Sequence, residues 1–449
     1  MRLDIASTLR NFERAKEVHD NAAETIPFHP VFDLVGASQE ERASIEEFGL
    51  QAIKASTVGA IILSGGQGTR LGFDGPKGMY NIGLLSGKCI FQIHVERIDG
   101  IRHLCRLDDG SLPSIPIYIM TSDFNHKRIL SFFSDMNYFG YPPNDIYFFE
   151  QSLELCLSKD GKIIIESPSS LSLAPDGNGG IYNALRTTGA MEDIQRRGLM
   201  HLHAYGIDNV LTKSIDPAFI GMCIRDGADC GNKVVQRLNK DEKVGVTVLR
   251  NGKMFVAEYS ELPPSIASSS DPETGLLLFN AANICNHYFS VSFLINSLFP
   301  NLCDMYHLAS KKIPYMNKEG VTVTPSTDNG YKLEMFIFDS FPYASRFSVM
   351  NSLRIDEFAP VKNHPSSSTD TPTTACAMIT HQVIRWLETA GAHFHWKYNG
   401  EIKETFERSA LNDAINRGDV VCEISPLVSY AGEGLERFRG STIVIPFSI

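Results

Sequence analysis

No run of the 449 residues approaches the roughly 18 consecutive apolar residues that a helix needs to span a bilayer. The opening "MRLDIASTLRNFERAKEVHD" is charged and has no apolar core, so no secretory signal is expected there. Positive charge is also short. Lys and Arg number 41 against 52 Asp and Glu, a net charge of −11. That balance argues against a nucleic-acid-coating protein and leaves room for a local basic pocket. The nine cysteines form no Cys-x-x-Cys, which argues against a zinc ribbon or disulfide framework. Reduced, mostly buried thiols in a cytoplasmic protein are expected. There is no internal repeat and no extended low-complexity segment. What is present is ordinary for a globular chain: 43% hydrophobic and 21% charged residues, in a length sufficient for two or three domains.

Residues 1–54 read as helical. Ile5, Leu9 and Phe12 share one helical face, as do Ile45, Phe48 and Ala52. The middle of the chain alternates helical stretches with β-rich runs: "GAIILS", "IPIYIM", "DIYFFE", "KIIIES", "VGVTVL" and "GLLLFNAANI". Alternation of this kind predicts an α/β domain with a parallel or mixed sheet. "KNHPSSSTDTPTTA", 362–375, reads as a linker or surface loop. After it come a helix ("CAMITHQVIRWLETA") and short strands ("VVCEISPLVSY", "STIVIPFSI").

The most informative stretch is "VGAIILSGGQGTRLGFDGPKGMY", Val58–Tyr80, with seven glycines in 23 residues behind an apolar strand. It is not a Walker loop, because Lys77 lies between Pro76 and Gly78. It is not a dinucleotide fingerprint either, since Leu71 stands where the third glycine belongs. What remains is a strand, a bare loop and two cations, Arg70 and Lys77. Backbone N–H groups without nearby Cβ atoms wrap a phosphate chain, while Arg supplies a planar fork and Lys a point charge. The combination is a cradle for a triphosphate.

"LSGGQGTRLGFDGPKGMY" resembles the signature of nucleotide-sugar pyrophosphorylases, most closely the eukaryotic UDP-N-acetylhexosamine pyrophosphorylases. "FFEQ", "APDGNGGIYNAL", "YGIDNVL", "VAEYSE", "NAANICNHYF", "KLEMFIFD", "FAPVKN" and "EISPLVSYAGEGLE" follow in the family's order, from about 60 to 435. Two positions depart from the usual pattern: Ser64 replaces Ala, and Ala282 replaces Gly. The resemblance implies a Rossmann-like, GT-A-like α/β nucleotidyltransferase domain with a mixed sheet over 55–365. A short helical N-terminal region (1–54) and a small α+β C-terminal domain (366–449) would flank it.

The resemblance also implies roles. Gly65 and Gly66 offer backbone to the nucleotide, and Gln151 and Gly177 contact uracil. Asn178, at a glycine-rich turn that opens a helix, suits a base edge or a phosphate. Asp208, a carboxylate near the end of a strand, is placed to hold Mg²⁺ (or Mn²⁺) on phosphate oxygens. His201 and His203 share that strand and read as ordinary strand histidines, since hard oxygen ligands suit Mg²⁺. Gly245, Glu258 and Asn283 face the hexose, where a carboxylate accepts hydroxyl hydrogen bonds and an amide does both. Phe336 and Phe338 are expected on one strand face, as an apolar wall for an N-acetyl group. Arg70, Lys77 and Lys362 handle the phosphates. The implied activity is uridylyl transfer from UTP to N-acetylglucosamine 1-phosphate, giving UDP-GlcNAc and pyrophosphate, by a monomer or weak homodimer without nucleic-acid or membrane partners. Two rivals share the motifs: a UDP-glucose or broad UDP-sugar pyrophosphorylase, and a non-catalytic UDP-sugar-binding regulator.

Overall fold

The computed structural model describes residues 5–17, 25–259 and 261–449. Eleven strands form one large sheet: β1 Thr25–Pro27, β2 Phe32–Asp33, β3 Val58–Leu63, β4 Ile117–Thr121, β5 Ile146–Glu150, β6 His201–Gly206, β7 Cys230–Gln236, β8 Val246–Arg250, β9 Lys253–Ala257, β10 Ala281–Ser290 and β11 Phe347–Ser352. The main path runs β2-β11-β7-β10-β6-β3-β4-β5. β6, β3, β4 and β5 are mutually parallel. β10 runs antiparallel to both of its neighbours on this path, so the sheet is mixed, as expected.

All six residues of β3 are buried, as its continuous apolar run requires of a strand covered on both faces. The chain lays down β3, β4 and β5 in one direction and then returns to place β6 on the other side of β3. That reversal is a topological switch point. In such sheets ligands bind beyond the carboxyl ends of the strands that flank it. Here those ends are Leu63 and Gly206.

The N-terminal region is only partly helical. Helices span Ile5–Glu17 and Gln39–Lys54, but β1 and β2 lie between them and join the large sheet. The proline-punctuated "TIPFHPVFD" cannot continue a helix and offers its backbone to sheet edges instead. Residues 1–4 and 18–24 of the expected helical region lie outside the described residues.

Other strand expectations are corrected. "KIIIES" contributes only Ile165–Ser167, in a two-stranded hairpin apart from the large sheet. In "GLLLFNAANI" the strand begins at Ala281, because Gly275, at φ 69°, turns Leu276–Leu278 back onto Ser269–Asp271. "VVCEISPLVSY" forms no strand beyond a single bridge, Glu423 to Ser448. The expected linker ends early: Thr371 accepts the Thr374 N–H at 3.1 Å and caps a helix over Pro372–Ala390.

The C-terminal part is α+β. It comprises that helix, a second over Arg408–Arg417, and a three-stranded sheet of Glu401–Lys403, His393–Tyr398 and Thr442–Ile445. Ile384, Leu387, Trp396 and Leu411 share one buried cluster with Val58, Ile90 and Ile117. Among the described residues no helix is long and apolar enough to cross a membrane. Eight cysteines are described, all of them free; seven are buried and Cys285 is half-buried.

Candidate active site

A cavity of about 910 Å³ opens at the switch point. The loop after β3 brings Gly65, Gly66 and Arg70 to it; the end of β5 brings Gln151; the turn after the short strand Leu173–Pro175 brings Gly177 and Asn178. Asp208 follows β6, Gly245 precedes β8, Glu258 follows β9, Asn283 lies on β10, and Lys362 follows the Phe358–Val361 segment. Eleven of the fourteen residues singled out from the sequence thus line one cavity. Lys77, Phe336 and Phe338 are not among its lining residues.

At one end, Asn125 donates to the carbonyls of Gly65 (3.3 Å) and Gly66 (3.4 Å), pinning the bare loop. A Cβ built on Gly66 meets nothing within 4 Å, so its backbone faces open space. Gly177 has φ 83°, and a Cβ there would lie 2.3 Å from the Met335 carbonyl, so only glycine fits. The turn is strapped to the Met335–Ile337 segment. Met335 N–H donates to Asp176 O (2.8 Å), Gly179 N–H to Met335 O (2.9 Å) and Ile337 N–H to Asn178 Oδ1 (3.0 Å). The Asn178 carbonyl is therefore engaged by the fold, and its Nδ2 is the group left for a ligand.

In the middle stand the charges. Asp208 is half-buried, and its carboxylate takes part in no hydrogen bond or ion pair with the described residues. A Cβ on Gly206 would lie 2.8 Å from Asp208 Oδ1, so the carboxylate folds back over bare backbone. Lys362 Nζ sits 5.7 Å from the Phe358 ring centroid, within range of a cation–π contact. Lys77 opens a short 3₁₀ turn, and its N–H donates to Gly66 O at 3.3 Å. Burial lowers the Lys77 pKa from the ordinary lysine value. Lys362 and Arg70 lower it further, against the opposing pull of Asp208. Lys77, half-buried, thus lies within the electrostatic field of Asp208, Arg70 and Lys362.

At the other end, Glu258 is half-buried, and burial raises its pKa, with Glu261 adding and Lys362 opposing. A Cβ on Gly245 would stand 3.1 Å from Glu258 Oε1. Asn283 N–H donates to Gly245 O (2.8 Å), and Asn283 Oδ1 accepts from Cys285 N–H (3.2 Å). The amide therefore keeps Nδ2 for the cavity.

Residues 9–382 match the UTP–glucose-1-phosphate uridylyltransferase family. The chain belongs to this family. It is 44% identical over 405 residues to UDP-N-acetylhexosamine pyrophosphorylase-like protein 1 of Xenopus tropicalis, covering 90% of this chain and 78% of that one. To UDP-N-acetylglucosamine diphosphorylase 2 of Arabidopsis thaliana it is 42% identical, over 95% and 82% of the two chains. The fold matches the crystal structure of the uridine diphosphate N-acetylglucosamine pyrophosphorylase from Trypanosoma brucei in complex with inhibitor. The TM-score is 0.83 at 30% identity, over 99% of this chain and 90% of that one.

The placement of Phe336 and Phe338 differs from expectation. Their strand ends at Glu334, and Ile337–Tyr343 winds into a 3₁₀ turn capped by Asp339, which accepts the Phe336 N–H at 2.6 Å. The two rings stack on each other, centroids 5.1 Å apart and 9° from parallel, rather than sharing a strand face. His201 and His203 are structural, as read. His201 Nδ1 lies 2.7 Å from Tyr288 Oη, His203 Nε2 lies 2.6 Å from Asn286 Oδ1, and burial pushes both imidazoles down to about 4.

Sequence reasoning missed Lys332 and Glu334, which line the cavity from the strand Gly330–Glu334 while Leu333 between them is buried. The period-two pattern of "KLEM" carried that signal. It also missed Lys243, on a loop with no periodicity to read, and the role of Asn209. Asn209 is buried, donates to Glu357 O (2.7 Å) and accepts from Ala359 N–H (2.8 Å). Val361 N–H donates to Asp208 O at 2.8 Å alongside. The Asp208 and Lys362 loops are therefore clasped together. Asn209→Ala leaves buried backbone groups unpaired and is expected to cost about 1–3 kcal/mol of stability. The same change loosens both charged groups, so kcat falls. Chemical denaturation alongside initial rates checks both effects.

Proposed function

We propose that this chain transfers the uridylyl group of UTP to N-acetylglucosamine 1-phosphate, releasing pyrophosphate. The observation that carries the reading is one cavity with bare backbone at one end, hydroxyl- and amide-binding groups at the other, and charges between them. UTP lies with its base at Gln151 and Gly177 and its phosphates along Gly65 and Gly66. The hexose lies against Glu258, Asn283 and the space left at Gly245. An oxygen of the sugar phosphate attacks the UTP α-phosphorus in line. A P–O bond forms to the sugar phosphate as the bond to the pyrophosphate oxygen breaks.

No side-chain nucleophile is required; positioning and charge neutralisation lower the barrier. Lys362 steers the incoming phosphate, while Arg70 and Lys77 balance the charge of the departing pyrophosphate. Asp208 fits a divalent cation, because it is a hard-oxygen donor at the cavity wall with no hydrogen bond or ion pair among the described residues, and one carboxylate plus substrate phosphates is a usual Mg²⁺ environment. Bound there, Mg²⁺ or Mn²⁺ would neutralise α-phosphate charge. The scattered free thiols and the net charge of −11 fit a cytoplasmic protein.

The test is pyrophosphate release with UTP and a panel of GlcNAc-, GalNAc- and glucose 1-phosphates. GlcNAc 1-phosphate is expected to give the highest kcat/KM. A higher value for glucose 1-phosphate would replace the reading with a broad UDP-sugar pyrophosphorylase. Calorimetric binding of UDP-GlcNAc without pyrophosphate release would replace it with a regulator.

A further inference from the structure

We propose that Asp176 is a positioning residue that fixes Gln151 as a hydrogen-bond acceptor and so sets the choice of uracil over cytosine. The inference rests on the reading that the base seats at Gln151 and Gly177.

A primary amide has two donor protons on nitrogen and an acceptor oxygen, and rotation about its last torsion exchanges them. In Gln151 both protons are spent inside the protein. Nε2 donates to Asp176 Oδ1 at 3.2 Å and also to the Gly177 carbonyl. Oε1 accepts no hydrogen bond from the described residues. It faces the loop after β3, where a Cβ built on Gly65 would lie 2.9 Å from it. Gly65, Gln151 and Gly177 all line the cavity. What this side chain shows to a base is therefore a carbonyl and not an NH₂.

The pairing edge of uracil has a single donor, N3–H, between two carbonyls. An acceptor-only group can bond that edge at N3–H and nowhere else. In the same seat cytosine presents a lone pair at N3, and two acceptors face each other. Were Gln151 free to turn over, its NH₂ would suit cytosine N3 and the discrimination would fall.

Asp176 is built to prevent the turn. It is fully buried, and a Cβ on Gly180 would lie 1.7 Å from its Oδ1, so the carboxyl group fills the space under the turn. Its backbone is held at both ends, by N–H to Ser152 O (3.3 Å) and by O from Met335 N–H (2.8 Å). Oδ2 is buried with no hydrogen-bond partner found among the described residues. Burial pushes this carboxyl up to about 7, with the nearby Glu154 raising it further and the Gln151 hydrogen bond and the nearby Asn183 amide opposing. A group kept in so costly a place has a task there, and the side chain it touches at Oδ1 is the base-facing amide.

The experiment measures the ratio of kcat/KM for UTP to that for CTP, with GlcNAc 1-phosphate as acceptor, in wild type, Asp176→Leu, Asp176→Ala, Asp176→Asn and Gln151→Ala. Thermal denaturation follows each protein. The Leu and Ala variants are expected to lose at least about tenfold of the ratio, mainly through a gain with CTP, since one anchored amide hydrogen bond is worth about that factor. The Asn variant keeps an acceptor at Oδ1 and is expected to hold the ratio within about threefold of wild type. A merely structural role would lower both substrates together and leave the ratio unchanged in folded Leu or Ala variants; that result overturns the inference, provided Gln151→Ala abolishes the preference. Retention of the preference in Gln151→Ala overturns it together with the base seat. A wild type without preference for UTP overturns the uridylyltransferase reading itself.

Discussion

Lys362→Ala is expected to lower kcat by about 10²–10³, roughly 3–4 kcal/mol of barrier, with a much smaller change in KM for UTP. The reason lies in where its charge acts. The reaction forces a sugar phosphate against a triphosphate, so repulsion peaks as the new bond forms. A preorganised cation facing that point contributes more to the transition state than to either bound substrate. Lys362 is preorganised. Its Nζ rests 5.7 Å from the Phe358 ring, its N–H donates to Asp370 O at 2.8 Å, and the preceding Val361 N–H is tied to Asp208 O. Steady-state kinetics over both substrates separate the outcomes. A rise in KM with unchanged kcat would make Lys362 a docking group only. Lys362→Arg keeps the charge and loses the compact ammonium, so partial activity is expected.

Much of this site was legible in the sequence because its chemistry is local. Gly65, Gly66 and Arg70 occupy a single loop, and Asp208 follows an alternating strand, so short-range rules place them. The strand β3 was readable for the same reason, being an uninterrupted apolar run between turns. What failed depended on partners distant in the chain. "VVCEISPLVSY" has the composition of a strand, yet only Glu423 and Ser425 find backbone partners, in Phe447 and Ile449, before the chain turns at Ser425–Val428, and tertiary context overrides propensity. "TIPFHPVFD" became strand because β8 and β11, more than 200 residues later, present edges to it. Phe336 and Phe338 look like alternating strand residues, but Asn178, 159 residues earlier, takes the Ile337 N–H, and the local Asp339 cap completes a 3₁₀ turn there. Asp176 stood in plain view within "APDGNGG". Its burial against Gln151, 25 residues earlier, is a property of the fold alone.

Asp208→Asn is expected to cut the rate on the order of 10²–10³ at limiting Mg²⁺ while leaving the fold intact, the loss of several kcal/mol that charge stabilisation at phosphoryl oxygens supplies. Asparagine keeps the shape of the side chain and removes the negative charge. The backbone contact from Val361 N–H to residue 208 O does not depend on the side chain, so the clasp between the two loops persists. The half-buried carboxylate contributes nothing to the apolar core, and circular dichroism should match wild type. Initial rate against Mg²⁺ concentration is the measurement: the variant's curve should be displaced to higher Mg²⁺. A folded variant with unchanged rate and unchanged Mg²⁺ dependence would remove Asp208 as the metal anchor. The same substitution has a second, independent consequence. Burial lowers the Lys77 pKa, Lys362 and Arg70 lower it further, and Asp208 is the group that raises it. The charged form of Lys77 is needed beside pyrophosphate, so kcat/KM falls as pH rises through that lowered pKa. In the free enzyme, with no cation on Asp208, removing the Asp208 charge lowers the pKa again, and the alkaline limb of the kcat/KM profile should move to lower pH. Lys77→Arg, whose guanidinium stays charged throughout, should move it to higher pH. Opposite displacements of one limb by two substitutions would tie Asp208 and Lys77 to the same electrostatic site, whereas a limb that ignores both would place the titrating group elsewhere.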